Sequence, residues 1–111
     1  MERINQTTVP TRRLSSGEQI PAVGLGTFGS DKYSPAQISE AVYGAIEYGY
    51  RLIDCAAVYQ NEAQIGEVLE RAMKNGVVRR EELFVTSKVW NDMHRRVEES
   101  CKKSLSDLRM D

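Results

Sequence analysis

The chain has 111 residues, enough for one modest domain with a single hydrophobic core. Hydrophobic residues make up 41% and charged residues 28%, which is typical of a globular protein rather than a disordered one. The formal net charge is -1 and no basic cluster is present, so nucleic acid is not an expected partner. No stretch approaches the ~20 apolar residues of a membrane span and the N-terminus lacks a signal-peptide core, so a cytoplasmic protein is expected.

The chain is predicted to divide into a flexible arm over residues 1–12 and a domain over residues 13–111. The domain opens with a β-hairpin, whose short strands Arg13–Ser15 and Ile20–Val23 flank a turn at Gly17. Two cysteines, Cys55 and Cys101, lie in apolar periodic segments without the spacing of metal ligands. We expect both to be reduced and buried, and no metal to be bound.

Three strands then alternate with three amphipathic helices. The first helix is predicted to begin at Ser34, an N-cap followed by a proline and a capping-box glutamine, and to end at Gly49. A strand over 51–56 leads to a helix that begins near Asn61, and a strand over 83–88 leads to the third helix. That last helix is predicted to bury one apolar face, formed by Val97, Cys101, Leu105 and Leu108.

Strands that alternate with helices indicate a parallel sheet with right-handed crossovers. Periodicity alone does not separate an open doubly wound sheet from part of an eight-stranded barrel. One alternative is a Rossmann dinucleotide-binding domain, because residues 24–29 contain three glycines and Asp54 ends the next strand. In a Rossmann domain the glycine-rich turn opens directly onto a helix. Here residues 30–33 lie between the glycines and the predicted N-cap, which disfavours the Rossmann interpretation.

Three residues stand out because they follow the carboxyl ends of predicted parallel strands, the edge where such folds place active sites. They are Asp54, Tyr59 and Lys88. Each also has an ordinary structural interpretation, as a loop cap, a half-buried packing residue and a solvated strand end. Together they suggest a tuned general acid: an ammonium favours the phenolate of a neighbouring tyrosine, and a carboxylate would hold that ammonium in place.

Three long segments resemble the aldo-keto reductase family. They are IPAVGLGTF over 20–28, YGYRLIDCAAVYQNE over 48–62 and ELFVTSKVW over 82–90, in the order and with the separations of that family. The resemblance implies a parallel (β/α)8 TIM barrel, of which this chain would be an N-terminal fragment with three βα units after the hairpin. It implies an oxidoreductase that reduces aldehydes or ketones to alcohols, reversibly, with NADPH or alternatively NADH.

The resemblance also assigns roles to residues of this sequence. Tyr59 matches the family's proton donor, and Lys88 and Asp54 match two further members of its catalytic tetrad. Gly26, Thr27 and Asp54 match the segment beside the cofactor. Phe28, where many members have tryptophan, and Trp90 match the aromatic wall of the substrate pocket, together with Tyr59.

The fourth tetrad member, a histidine, is expected beyond the end of this chain, and His94 lies at a helix start rather than a strand end. We therefore expect a fragment that is inactive by itself, whose third helix lacks a covering strand. A non-catalytic NADPH-binding member of the family, with a regulatory or structural role, is the alternative function, although such a protein would have no chemical reason to retain Asp54, Tyr59 and Lys88 together. The expected partner is a small carbonyl substrate, and the expected full-length protein is a monomer.

Overall fold

The computed structural model describes residues 9–111. Its strands and helices alternate as predicted, with shorter strands than the sequence pattern indicated. The strands are β1 Thr11–Arg13, β2 Gln19–Pro21, β3 Gly24–Gly26, β4 Leu52–Asp54 and β5 Phe84–Thr86, and the helices are α1 Pro35–Glu47, α2 Glu62–Lys74 and α3 Val97–Leu108. No helix in the described part of the chain is long and apolar enough to cross a membrane.

The predicted hairpin is present, but its first strand begins earlier than expected. β1 pairs antiparallel with β2, with Thr11 opposite Pro21 and Arg13 opposite Gln19. The turn places Gly17 at a φ of 93°, a conformation that glycine adopts without a steric cost. The last two residues of the predicted arm therefore belong to the hairpin, and residues 1–8 lie outside the described residues.

The three remaining strands form one parallel sheet in the order β3-β4-β5. Their register aligns Gly26 with Asp54, and Asp54 with Thr86, at the carboxyl ends of the strands. Backbone hydrogen bonds extend the alignment by one residue, because the amide of Thr27 donates to Asp54 and that of Cys55 donates to Thr86. This alignment brings residues from three distant parts of the sequence to one edge.

Helix α1 begins as predicted. The Ser34 hydroxyl accepts from the amide of Gln37, and the Gln37 side chain accepts from the amide of Ser34, which completes a capping box. Gly49 follows the helix with a φ of 107°. The geometry does not fit the Rossmann alternative, because residues 27–34 separate β3 from the helix and its N-terminal amides do not adjoin the glycines.

The core lies between the sheet and the first two helices, and Leu108 of α3 completes it. One buried arginine is built into it: Arg51 donates to the carbonyl of Ile46 at 2.8 Å, at the end of α1. The same carbonyl also accepts from the amide of Gly49, so both bonds replace the partner that it lacks within the helix. The apolar part of the core comprises Val42, Ile46, Ile53, Cys55, Ile65, Val68, Leu69, Ala72, Val78, Leu83 and Leu108.

Helix α3 packs through a different face from the predicted one. Its buried residues are Ser100, Ser104 and Leu108, and of the predicted apolar face only Leu108 is among them. The helices approach closely at Gly66 of α2, where an added Cβ would lie 2.1 Å from the carbonyl oxygen of Asp107. Gly66 therefore allows the backbone of α3 at Asp107 and Leu108 to approach α2 closely.

The apolar residues of α3 instead lie at the open side of β5. Val97, Cys101 and Leu105 are exposed, and the last two line a groove together with Val85. The prediction that both cysteines are buried is therefore wrong for Cys101 and confirmed for Cys55.

Candidate active site

Lys88 is the centre of the cluster at the carboxyl edge of the sheet. Its Nζ donates to both carboxylate oxygens of Asp54, at 2.9 and 3.0 Å, and to the carbonyl of Cys55 at 3.0 Å. The same ammonium donates to the Tyr59 hydroxyl at 3.3 Å. The three residues that the sequence pattern singled out are thus joined through one cation.

Neighbouring groups shift the pKa values of both members of the Asp54–Lys88 ion pair. The Thr86 hydroxyl donates to Asp54 and, outweighing partial burial and reinforced by Lys88, lowers the pKa of the Asp54 carboxyl. Partial burial opposes the charge of Lys88, but its bonds to Asp54 and Tyr59 outweigh that effect and raise the pKa of the ammonium. Both groups are therefore ionised at neutral pH.

Tyr59 is held by a local turn after β4. It ends a 3₁₀ turn, Ala57–Tyr59, and the next residue, Gln60, has a left-handed conformation with a φ of 60°. Lys88 Nζ lies 5.0 Å from the centre of the Tyr59 ring, so it contacts the ring as well as the hydroxyl. The Phe28 ring lies against the Tyr59 ring, with ring centres 5.2 Å apart and planes inclined by 48°.

Gly26 and Thr27, two of the predicted cofactor-binding residues, differ in exposure: Gly26 borders open space, whereas the Thr27 side chain is buried. A Cβ added at Gly26 would meet no atom within 4 Å, so the strand end beside Asp54 has an open face. Thr27 is fully buried, and its hydroxyl donates to the carbonyl of Asp54 at 2.9 Å. The Thr27 side chain therefore holds β3 against β4.

The last predicted pocket residue, Trp90, and the histidine that was not assigned to the site, His94, lie further along the chain. Trp90 is half exposed and precedes the 3₁₀ turn Asn91–Met93; within the described residues its ring does not contact that of Phe28 or Tyr59. His94 is exposed and its Nδ1 lies by the carbonyl of Asn91, away from the cluster.

Sequence reasoning missed several polar residues that support this cluster. Thr86 binds Asp54 directly, and the buried Asn61 donates from Nδ2 to the carbonyl of Thr27 at 2.8 Å. Glu62 is also buried and accepts from two serine hydroxyls. The available signal was weak: a helix start with adjacent polar residues suggests a cap and an exposed first turn, not burial.

A sequence profile described as "Aldo/keto reductase family" matches residues 22–111. Over 103 residues the chain is 50% identical to "Aldo-keto reductase family 1 member A1-A" of Danio rerio, covering 90% of this chain and 31% of that protein. Over 106 residues it is 48% identical to "NAD(P)H-dependent D-xylose reductase I,II" of Candida tropicalis, covering 94% of this chain and 32% of that protein.

A solved structure gives the same result for the fold. The chain superimposes on the aldo-keto reductase of Bombyx mori, determined in complex with NADP, with a TM-score of 0.86 and 46% identity, over 93% of this chain and 35% of that one. The three parallel strands and their helices are thus part of a (β/α)8 barrel fold, as the resemblance implied. The chain spans about a third of the length of the curated relatives it matches. The match over residues 22–111 and these identities establish that the chain belongs to the aldo/keto reductase family.

Proposed function

We propose that this chain supplies the proton-donor side of the active site of an oxidoreductase that reversibly reduces aldehydes or ketones with NADPH. The observation that carries the proposal is the position of Lys88 Nζ, within hydrogen-bond distance of both the Tyr59 hydroxyl and the Asp54 carboxylate. Such an arrangement stabilises the negative charge that a tyrosine oxygen acquires when it gives up its proton.

In this proposal each residue has one role. Tyr59 donates its hydroxyl proton to the carbonyl oxygen of the substrate and accepts it back in the reverse direction. Lys88 stabilises the phenolate so formed, and Asp54 keeps the ammonium charged and directed at Tyr59. The inclined ring of Phe28 beside Tyr59 would provide an apolar wall for the carbonyl compound, and Trp90 a second wall.

The residues at the edge of the sheet fit a nicotinamide cofactor. The open face at Gly26 leaves space beside Asp54, where a larger residue would place a side chain. We assign Gly26, Thr27 and Asp54 to the floor of that space, with Thr27 acting through its backbone because its hydroxyl is already bonded. Bound NADPH would supply the hydride that the carbonyl carbon receives.

The family contains enzymes named for either cofactor. The relative from Malus domestica is named as NADP-dependent, at 48% identity, and one from Candida parapsilosis as NADH-dependent, also at 48% identity. Assays of this protein therefore include both NADPH and NADH.

The test uses the full-length gene product that contains this chain. Loss of NADPH absorbance with a simple aromatic aldehyde is measured for the wild type and for Tyr59→Phe. We expect Tyr59→Phe to lower kcat by about 10²- to 10⁴-fold, the usual contribution of a general acid, while NADPH binding measured by fluorescence is retained. Wild-type binding of NADPH without turnover of any aldehyde or ketone would contradict the proposal and favour a non-catalytic member of the family.

The 111 residues by themselves are proposed to lack turnover. Asp54 and Lys88 are 42% and 47% exposed in the described structure, so water competes for their hydrogen bonds and screens their charges. Steady carbonyl reduction by the purified 111-residue chain would contradict this part of the proposal.

A further inference from the structure

The carboxylate of Glu62 is buried, although the proposed chemistry does not use it. The residue is 3% exposed and is the first residue of α2. Oε2 accepts from the Ser87 hydroxyl at 2.6 Å, and Oε1 accepts from the Ser104 hydroxyl at 2.8 Å. A buried carboxylate is costly unless it is hydrogen-bonded, and the positive end of the α2 dipole offsets part of that cost.

The position of Ser87 connects this carboxylate to the active site. Successive side chains of an extended chain point to opposite faces. Thr86 and Lys88 both reach Asp54 on one face, and Ser87 between them reaches Glu62 on the other. The segment that carries Lys88 is therefore held from both sides.

We propose that Glu62 is a positioning residue for Lys88, acting through Ser87; the inference rests on the proposed function of Lys88. The Lys88–Tyr59 hydrogen bond, at 3.3 Å, is already long. A displacement of the segment would break this bond before it separates Lys88 from Asp54, whose two oxygens lie nearer. Misplacement of a reacting group by ~1 Å can lower a rate by about 10²-fold.

Glu62 also has a purely structural link, because its bond to Ser104 connects α2 to α3. A clamp between helices would affect stability alone, whereas a positioning residue affects turnover beyond its effect on stability. Substitutions at Ser87 and at a buried serine of α3 distinguish the two roles, because only Ser87 adjoins Lys88.

The experiment compares Ser87→Ala, Ser87→Thr, Glu62→Met and the double variant Ser87→Ala/Glu62→Met in the full-length gene product. Ser100→Ala is the matched control, because Ser100 is as buried as Ser104 and lies one turn earlier on the same helix. Each variant is assayed for kcat, for the NADPH dissociation constant and for melting temperature. Crystal structures of Ser87→Ala and Ser100→Ala report the distance from Lys88 Nζ to the Tyr59 oxygen.

We expect Ser87→Ala and Glu62→Met, which removes both carboxylate acceptors at similar side-chain length, each to lower kcat about 10- to 100-fold, with NADPH binding retained. Ser87→Thr, which keeps the hydroxyl, restores most of the turnover, and Ser100→Ala leaves kcat unchanged. The double variant is no slower than the slower single variant, because both changes break one connection. In the Ser87→Ala crystal the Lys88–Tyr59 distance exceeds 3.3 Å.

Three results would overturn the inference: an unchanged kcat in folded Ser87→Ala, additive losses in the double variant, or a loss of kcat in Ser100→Ala equal to that in Ser87→Ala. A wild type without turnover would refute the proposed function instead. In that case the two crystal structures still decide whether Ser87 positions Lys88.

Discussion

Lys88 and Asp54 form a two-point contact between residues at the ends of adjacent strands, with Nζ 2.9 and 3.0 Å from the two carboxylate oxygens. The parallel register that aligns Asp54 with Thr86 makes this contact possible, because Lys88 follows Thr86 by two residues and lies on the same face. One strand pairing thus orients the ammonium that reaches Tyr59.

Substitutions in this pair are expected to separate catalysis from stability. Lys88→Met removes the group that touches Tyr59 and should lower kcat more than Asp54→Asn, which leaves the ammonium in place. Because both side chains are more than 40% exposed, we expect Asp54→Asn to change the free energy of unfolding by only about 0–1 kcal/mol. Steady-state kinetics and urea denaturation measure the two effects. A larger kinetic loss in Asp54→Asn than in Lys88→Met would contradict the assigned roles.

The pH dependence of stability follows from the two pKa shifts. The pKa of Asp54 is below its ordinary value of 3.8, so its contribution is present above that value and is lost as the pH falls through the lowered pKa. The pKa of Lys88 is above its ordinary value of 10.5, so its contribution is present below that value and is lost as the pH rises through the raised pKa. We therefore expect the difference in melting temperature between wild type and Asp54→Asn to be constant from about pH 5 to 9. A difference that changes sharply near neutral pH would refute this assignment.

The close contact of α2 and α3 predicts opposite effects for two helical glycines. Gly66→Ala should destabilise the protein by about 1–3 kcal/mol, because the new Cβ would meet the backbone of Asp107 and Leu108. Gly44→Ala in α1 is the matched control, since its Cβ would meet nothing within 4 Å, and alanine should stabilise that helix by about 1 kcal/mol. Thermal or urea unfolding measures both. Equal effects of the two substitutions would mean that α3 does not pack at Gly66.

The Cys55 thiol is expected to be unreactive in the folded protein. Burial raises its pKa to about 12, and the nearby Glu62 carboxylate adds to the shift, so the reactive thiolate is scarce at neutral pH. Iodoacetamide should leave Cys55 unmodified in the native protein and modify it in urea, as followed by mass spectrometry of peptides. Rapid modification of Cys55 under native conditions would show that the core around it opens.

The sequence by itself determined the order of the elements and the start of α1, because caps and apolar periodicity are local properties of a few consecutive residues. It also indicated Asp54, Tyr59 and Lys88, since parallel strands bring their carboxyl ends to one edge wherever they pair. Only the tertiary structure decided which face of α3 is buried. The reason is that close approach at Gly66 favours Ser100 and Ser104 over the larger apolar side chains.

The burial of Glu62 and Asn61 was likewise decided by tertiary contacts. Their partners, Ser87, Ser104 and the carbonyl of Thr27, lie 25 or more positions away in the chain, and no local pattern encodes such pairings. The sequence therefore predicted Lys88, the cation that joins Asp54 to Tyr59. The polar residues that support the cluster, Glu62 and Asn61, could be identified only in the folded chain.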